Sequence, residues 1–128
     1  MRVNAKELLR LAEEARAKAY APYSGFTVGA ALQCEDGRVF TGCNIENASF
    51  TPTCCAERVA LFTAVSAGKR RFRAIAVVGG KNPCPPCGVC RQALSEFCDG
   101  GLSVLLDDGK GGILADTLDG LLPRRFQL

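Results

Sequence analysis

Apolar residues in the first twenty positions recur on one helical face, and they are Leu8, Leu9, Ala12, Ala15 and Ala19. Asn4 followed by Glu7 is typical of a capping box at the start of a helix. Pro22 cannot continue a helix because it lacks a backbone N–H. The pattern therefore predicts an amphipathic helix that begins after Asn4 and ends before Pro22.

The pattern changes to alternation after this helix, where the apolar residues are Phe26, Val28, Ala30 and Leu32. Asp36-Gly37 is a signal for a two-residue hairpin turn, so residues 38–43 are predicted to form the return strand. A loop follows at residues 44–52. This part of the chain is therefore expected to form a β-hairpin.

Residues 52–68 predict a helix that is buried from Val59 onward and closes at Gly68. Its predicted first turn holds two thiols, a carboxylate and a guanidinium, and these groups belong to Cys54, Cys55, Glu57 and Arg58. Packing a core helix requires none of these groups. They are therefore candidate functional residues.

Two short apolar runs, residues 74–78 and 102–106, are typical of buried strands, and a second helix is predicted between them from near Cys87. The link at residues 107–112 is too short for a parallel crossover, so the last two strands are predicted to be antiparallel. Thr117 then caps a short final helix. The order α-β-β-α-β-α-β-β-α predicts an α/β fold with three layers, α/β/α, around a mixed five-stranded sheet, and residues 1–128 are expected to form one domain.

Composition narrows the class of protein. The chain has 128 residues, of which 48% are hydrophobic and 23% charged, and its net charge of +3 is mild. No apolar run approaches the ~20 residues that span a bilayer, and the N-terminal segment lacks the apolar core of a signal peptide. We therefore expect a cytoplasmic protein with no membrane partner. Nucleic acid is also not expected as a partner, because the basic clusters lie at element boundaries.

The eight cysteines and the absence of histidine limit the chemistry. In a reducing compartment, cysteines more often serve as buried hydrophobes, metal ligands or catalytic groups than as disulfides. Without histidine, the chain contains neither a Ser-His-Asp triad nor an HExxH zinc motif. A metal must therefore be held by sulfur or oxygen, and a carboxylate is the natural general base.

The segment NPCPPCGVCRQAL at residues 82–94 contains two overlapping CxxC pairs. Two prolines restrict Cys84 to an extended approach, whereas Cys87 and Cys90 are expected on one face of a helical first turn. The helix dipole favours their thiolates there. We therefore assign Cys87 and Cys90 to a metal site. A thioredoxin-like redox pair is the alternative, but that motif normally follows the first strand of its fold.

The other helix start supplies a third thiol from Cys55. Three protein ligands and an open fourth position are typical of catalytic zinc, whereas four protein ligands make a closed structural site. Cys54 or Cys84 as a fourth ligand would convert the site to the structural type, and this alternative stays open. The remaining cysteines are expected to be small buried hydrophobes.

Cys55-Ala56-Glu57, followed by PCGVC at residues 86–90, resembles the zinc-dependent nucleoside and nucleobase deaminases. Further segments resemble the small homotetrameric cytidine deaminases, and they are YAPYS at 20–24, FTVGAA at 26–31, GCNIENA at 42–48 and LLP at 121–123. The resemblance covers nearly the whole chain. It implies a homotetramer with one Zn²⁺ per subunit and a small nucleoside as substrate.

The resemblance also implies a role for each matching residue. Cys55, Cys87 and Cys90 would bind zinc, and Glu57 would shuttle protons. The expected substrate contacts are Asn44 and Glu46 to the ribose hydroxyls, Phe26 to the pyrimidine, and the Ala56 amide to the base carbonyl. Phe50 stands where relatives often carry Tyr, and Phe50 and Phe126 are candidates for contacts across subunits.

The implied reaction is the hydrolytic deamination of cytidine and 2′-deoxycytidine, with release of ammonia, in pyrimidine salvage. Zinc lowers the pKa of water toward ~7 and so provides hydroxide, which attacks C4 of the base. Glu57 passes the water proton to N3 and then to the departing ammonia.

Because three thiolates around Zn²⁺ leave a net charge of about −1, a cation is expected nearby, and Arg58 and Arg91 are positioned in sequence to donate to the ligand sulfurs.

Three alternative functions compete with the deamination of cytidine and 2′-deoxycytidine. A deaminase of another cytosine nucleoside, such as blasticidin S, is disfavoured because Asn44 and Glu46 match ribose contacts. A deaminase of bases in RNA or DNA is disfavoured because such relatives join the last two strands through a helix. A non-enzymatic zinc-stabilised module would bind zinc but would not hydrolyse cytidine.

Overall fold

The computed structural model describes residues 4–128, so residues 1–3 of the predicted domain lie outside the described chain. The helices are α1 (Ala5–Arg16), α2 (Ala56–Ser66), α3 (Gly88–Phe97) and α4 (Leu118–Leu121). The strands are β1 (Val28–Cys34), β2 (Val39–Cys43), β3 (Phe72–Gly79), β4 (Ser103–Asp107) and β5 (Ile113–Thr117). Their order along the chain is the predicted one.

The strands form one five-stranded sheet in the order β2-β1-β3-β4-β5. β3 and β4 are parallel because α3 carries the chain across between them, and the other neighbouring pairs are antiparallel. β4 and β5 are joined by a short turn that allows only an antiparallel return. The predicted mixed sheet with antiparallel last strands is therefore confirmed.

The sheet is covered on both faces, because successive strand side chains point in opposite directions. On β3, Ala74, Ala76 and Val78 pack in the cluster that contains Leu8 of α1. Ile75 and Val77 belong to a second cluster, together with Leu61 of α2 and Leu94 of α3. The three predicted layers are therefore present.

Two glycines allow the helices to lie directly against the strands. A Cβ atom on Gly29 would lie 1.9 Å from the carbonyl oxygen of Ala12 in α1. A Cβ atom on Gly42 would lie 2.5 Å from the carbonyl oxygen of Ala56, the first residue of α2. The close contact at Gly42 fixes the start of α2 against β2 and therefore positions the residues that precede it.

The sequence predicts the start of α1 more accurately than its end. The Asn4 side chain accepts a hydrogen bond from the Glu7 backbone at 2.8 Å, as expected for an N-cap. The Glu7 carboxylate, however, binds Arg10. The helix ends at Arg16, so Ala19 lies beyond it. The chain leaves the helix early because the next segment pairs with residues near Ile45.

The predicted two-residue hairpin turn is wrong. The connection between β1 and β2 closes through a hydrogen bond from the Cys34 N–H to the Arg38 carbonyl, which leaves three residues, 35–37, in the loop. Gly37 has a φ of 95°, and this conformation favours glycine. A type I turn followed by a left-handed glycine is the usual three-residue hairpin, and the Asp-Gly sequence suits it as well.

Candidate active site

The candidate site lies where the starts of α2 and α3 meet. Cys55 is the N-cap residue of α2 and Cys87 is the N-cap residue of α3, and both have extended backbones. The expectation that Cys54 and Cys55 lie in the first turn of α2 is therefore wrong, since both precede it. Cys54 instead pairs with Ile45 in an isolated bridge. Extended geometry turns neighbouring side chains to opposite sides and separates the two thiols.

Three thiols converge at these helix starts. The Sγ atoms of Cys55, Cys87 and Cys90 all lie within 4.8 Å of one another. The distance between the Sγ atoms of Cys55 and Cys87 is 3.8 Å, and that between Cys87 and Cys90 is 3.4 Å. Tetrahedral zinc with Zn–S bonds of ~2.3 Å requires sulfur atoms about 3.8 Å apart. The soft sulfur donors and their spacing therefore fit zinc.

The two other cysteines that were candidate ligands lie outside this group. In the described chain, neither Cys54 nor Cys84 joins the cluster of possible metal ligands. Burial raises the pKa of Cys54, and it raises the pKa of Cys84 to about 11, so both favour the neutral thiol. The arrangement therefore offers three protein ligands, which is the number typical of catalytic zinc.

The charges of the cluster also fit a bound cation. The hydrogen bond with Cys90, together with Arg58 and Cys87, lowers the pKa of Cys55 to about 5. The same contact with Cys55, together with burial, raises the pKa of Cys90. Two neighbouring thiols therefore resist ionising together, because their thiolate charges repel. A divalent cation removes that resistance because it favours every thiolate.

Glu57 lies in the first turn of α2, two residues after Cys55. Its side chain is only 4% exposed, and burial raises its pKa to about 7. A carboxyl group with such a pKa both accepts and donates a proton near neutral pH. Glu57 therefore has the property that the predicted proton shuttle requires.

A cleft of about 340 Å³ adjoins the thiols and Glu57. The predicted site residues that line it are Phe26, Asn44, Glu46, Cys55, Ala56, Glu57 and Cys87. Ser24, Thr53 and Cys84 line it as well and were not assigned to the substrate site from the sequence. Ser24 lies within the YAPYS segment, and the resemblance of that segment to cytidine deaminases is the sequence signal that could have predicted its place in the cleft.

Asn44 and Glu46 bind the segment of residues 23–28, which contributes to the lining of this cleft. The Asn44 side chain accepts from the Val28 N–H at 2.9 Å and donates to the Phe26 carbonyl at 2.8 Å. The Glu46 carboxylate accepts from the Tyr23 N–H at 2.9 Å and also from the Ser24 backbone and hydroxyl. These hydrogen bonds, led by that of the Ser24 hydroxyl, lower the pKa of Glu46. Both side chains are therefore fixed before any substrate binds.

The two arginines near the thiols have different partners. Arg58 donates from Nη2 to the Cys55 Sγ at 3.3 Å, as its predicted role requires. Arg91 donates from Nε to the Pro86 carbonyl and from Nη1 to the Leu121 carbonyl, both at 2.7 Å. The expectation that Arg91 donates to a ligand sulfur is therefore not met. Its guanidinium connects the loop before α3 to the C-terminal segment.

Phe50 and Phe126 are both exposed on the single chain. Phe50 is 75% exposed with a φ of 66°, and Phe126 is 70% exposed. Phe50 lines a cavity of about 380 Å³ together with Tyr23 and Glu46, next to the cleft. Phe126 lies near α3, where its carbonyl accepts from the Gln92 side chain. Their contacts across subunits stay a prediction.

Thiols at two helix starts, with a buried carboxyl beside them in a three-layer α/β/α fold, define the class of zinc-dependent deaminases. The model of the cytidine and deoxycytidylate deaminase zinc-binding region matches residues 2–105. The chain belongs to the cytidine deaminase family. The zinc cofactor expected from the sequence is thereby confirmed, since the matching region is zinc-binding and the thiols converge.

Individual relatives are similar over nearly their whole length. The cytidine deaminase of Sporosarcina psychrophila is 49% identical over 125 residues, which cover 97% of this chain and 92% of the relative. That of Halalkalibacterium halodurans is 52% identical over 120 residues, covering 93% and 91%. The crystal structure of cytidine deaminase from Burkholderia pseudomallei superposes with a TM-score of 0.92 at 49% identity, covering 97% of this chain and 100% of that one. Within residues 4–128, no helix has the length and apolarity needed to cross a membrane.

Proposed function

We propose that the protein catalyses the hydrolysis of cytidine and 2′-deoxycytidine to uridine and 2′-deoxyuridine, with release of ammonia, in pyrimidine salvage. The observation that carries this proposal is a single cleft lined by the buried Glu57 carboxyl and by Cys55 and Cys87 of the thiol cluster. Water supplies the new C4 oxygen and two protons, of which one stays on N3 of the product and the other leaves with the amino group as ammonia. The similarity to cytidine deaminases supports this substrate.

Cys55, Cys87 and Cys90 are the proposed zinc ligands. Zinc in such a site supplies a nucleophile by lowering the pKa of water to ~7. The chain itself provides the proton path. Glu57 accepts a proton from the attacking water and donates it to N3 of the base, and its carboxyl group then assists the departure of ammonia. A pKa of about 7 suits this repeated transfer at neutral pH.

The remaining lining residues are proposed to orient the nucleoside. The Ala56 N–H is at the first position of α2, where backbone donors lack partners within the helix, so it is available to the base carbonyl. Phe26 is proposed to line the pyrimidine pocket. Asn44 and Glu46 are proposed to bind the ribose hydroxyls, and their hydrogen bonds to residues 23–28 hold them rigid for that purpose.

The decisive experiment follows the loss of cytidine absorbance and the release of ammonia by the zinc-loaded protein. Equimolar ammonia, and loss of activity on chelation with recovery on zinc addition, are the expected results. Parallel assays with deoxycytidine and blasticidin S test the ribose requirement. Zinc-loaded protein that releases no ammonia from any of these substrates would favour a non-enzymatic zinc module. Turnover of blasticidin S alone would favour the other nucleoside class.

We further propose a homotetramer that acts in the cytoplasm, with no nucleic-acid or membrane partner. The exposure of Phe50 beside the cleft supports contacts between subunits there, because an exposed aromatic at a site rim suits an interface. Sedimentation at the assay concentration is expected to show a tetramer. A fully active monomer would contradict this assembly.

A further inference from the structure

Ser24 connects the residues proposed for the two halves of the nucleoside. It lines the cleft together with Phe26, which is proposed to contact the pyrimidine, and Glu46, which is proposed to contact the ribose. The Ser24 Oγ atom donates to a Glu46 carboxylate oxygen and accepts from the Phe26 N–H at 3.0 Å. One side chain therefore has hydrogen bonds to both residues.

The charge of Glu46 fixes the direction of these hydrogen bonds. Its hydrogen bonds, led by that of the Ser24 hydroxyl, lower the pKa of Glu46, so the group is a carboxylate at neutral pH and only accepts. A serine hydroxyl has one proton, and this proton is therefore directed at Glu46. A different rotamer of Ser24 would lose both Glu46 and Phe26 as partners. The Ser24 hydroxyl is thus committed to holding its neighbours and has no proton to donate to a substrate.

The two oxygen atoms of Glu46 differ in what they can still accept. Each carboxylate oxygen offers two acceptor sites. Oε1 accepts from the Tyr23 N–H at 2.9 Å and from the Ser24 N–H at 3.1 Å, so both of its sites are used. Within residues 4–128, Oε2 accepts from the Ser24 hydroxyl alone. Oε2 is therefore the oxygen with a site left for a ribose hydroxyl, and Ser24 is the side chain that holds it.

The backbone around Gly25 brings the Ser24 hydroxyl to Phe26. Gly25 has a φ of 69°, a conformation that favours glycine, and its N–H donates to the Ala21 carbonyl at 2.9 Å. This turn places Ser24 Oγ against the N–H of Phe26, two residues later. The Phe26 carbonyl accepts from the Asn44 side chain at 2.8 Å. Both backbone polar groups of Phe26 are therefore held by side chains, and only one of these two bonds depends on Ser24.

We propose that Ser24 is a positioning residue that sets the preference of the enzyme for nucleosides with ribose hydroxyls. Its hydroxyl holds Glu46 so that Oε2 presents its remaining acceptor site to a ribose hydroxyl. This inference rests on the proposed deamination of cytidine. It assigns to Ser24 the part of kcat/KM that depends on the ribose hydroxyls, and it leaves the chemistry at C4 to the thiol site and Glu57.

The test compares cytidine with 2′,3′-dideoxycytidine, which lacks the ribose hydroxyls that Glu46 would bind. Ser24→Ala is expected to lower kcat/KM for cytidine by about 10-fold or more, because losing a hydrogen bond to a charged group typically has this effect. For 2′,3′-dideoxycytidine, kcat/KM should change by less than about twofold, since Phe26 keeps its bond to Asn44. Enzyme in excess over substrate makes slow turnover measurable. Equal losses for both substrates would show general damage to the cleft and would overturn the proposal.

Ser49→Ala is the matched control. The Ser49 hydroxyl also donates to a side-chain oxygen, Asn47 Oδ1 at 2.8 Å, but Ser49 does not line the cleft. This variant is expected to keep kcat/KM for both substrates within about twofold. A loss as large and as selective for cytidine as that of Ser24→Ala would show that the effect does not come from the bond to Glu46 and would overturn the proposal.

A double variant tests whether Ser24 acts through Glu46. In Glu46→Ala, Ser24 has no carboxylate to hold, so the addition of Ser24→Ala should lower kcat/KM for cytidine by less than about twofold further. A further fall as large as that in the unmodified enzyme would show that Ser24 acts independently of Glu46 and would overturn its positioning role. Cytidine turnover by the unmodified enzyme is measured first, since its absence would contradict the proposed function and this inference with it.

Discussion

The starts of α2 and α3 are alike in their local design and differ in what they do. Each begins with an extended cysteine N-cap, Cys55 or Cys87, and each has an arginine on its first turn, Arg58 or Arg91. The Cys87 Sγ accepts from the Cys90 N–H of its own helix at 3.4 Å. The Cys55 Sγ makes no such cap bond and instead accepts from Arg58.

This difference separates the tasks of the two arginines, because Arg58 contacts a ligand sulfur whereas Arg91 connects backbone segments. The start of α2 combines a sulfur that is hydrogen-bonded to a cation with the buried Glu57 carboxyl. At the start of α3, Arg91 points away from the sulfur atoms and binds two backbone carbonyls. A helix N-terminus favours negative charge in both places, so the dipole does not distinguish them. Their different tasks come from the surrounding side chains.

The largest expected effect is that of Cys55→Ser. Loss of one of three sulfur ligands leaves a hydroxyl that is a poor zinc ligand at neutral pH, so stoichiometric zinc and detectable turnover are both expected to be lost. Metal analysis of the purified variant, with the cytidine assay, measures both. Cys54→Ser is the control and is expected to keep zinc and activity, because Cys54 lies outside the cluster. The opposite pattern would move the ligand by one residue.

Glu57→Gln is expected to separate proton transfer from metal binding. The amide has nearly the same size as the carboxyl but transfers no proton, so turnover should fall by about 10²–10⁴-fold, the usual contribution of a positioned acid–base group. The fold and the zinc content should be unchanged. Single-turnover rates and zinc stoichiometry measure the two properties. Loss of zinc from this variant would instead make Glu57 a ligand.

The sequence predicted the elements more reliably than their ends. The amphipathic period of α1 and the apolar runs of β3 and β4 are local signals, and the structure contains those elements. The position of Cys55 before α2 depends on the pairing of Cys54 with Ile45, which is a contact between distant segments. The three-residue hairpin likewise depends on how β1 and β2 pair, since the Asp-Gly pair suits two turn lengths.

The candidate site likewise contains residues that local sequence signals predict and contacts that they do not. The spacing of Cys87 and Cys90 predicts their role, whereas the substrate contacts and the role of Arg58 rest on the family resemblance. The direction of Arg91 depends on where Leu121 packs, thirty residues later, so no local pattern reveals it. The bond of the Ser24 hydroxyl to Glu46 likewise joins segments that are distant in the chain.

Arg58→Gln is expected to have an intermediate effect. The substitution removes a charge-assisted hydrogen bond to the Cys55 sulfur, and partners of metal ligands typically change metal affinity or activity by about 10–100-fold when removed. Zinc should therefore dissociate faster under chelator competition, and turnover should fall. Arg58→Lys, which keeps the charge, should recover part of both losses. Unchanged zinc dissociation and turnover in Arg58→Gln would show that its contact with sulfur has no influence on the metal.

Arg91→Gln is expected to have the smallest effect on chemistry and to show most directly how the two helix starts differ. The variant loses two hydrogen bonds from a charged donor, each of which contributes about 1.5–3 kcal/mol, so the free energy of unfolding should fall by about 3 kcal/mol or more. Turnover per bound zinc should stay within about twofold, because no donor of Arg91 reaches a sulfur and the effect on the metal is below that of a direct partner. Denaturation and metal-normalised kinetics measure the two quantities. Arg125→Gln is the control, since it loses only one bond to a backbone carbonyl, that of Cys98, and should destabilise less. A fall in turnover per zinc as large as that of Arg58→Gln would show that Arg91 acts on the metal through Pro86 and that the arginines of both helix starts influence the chemistry.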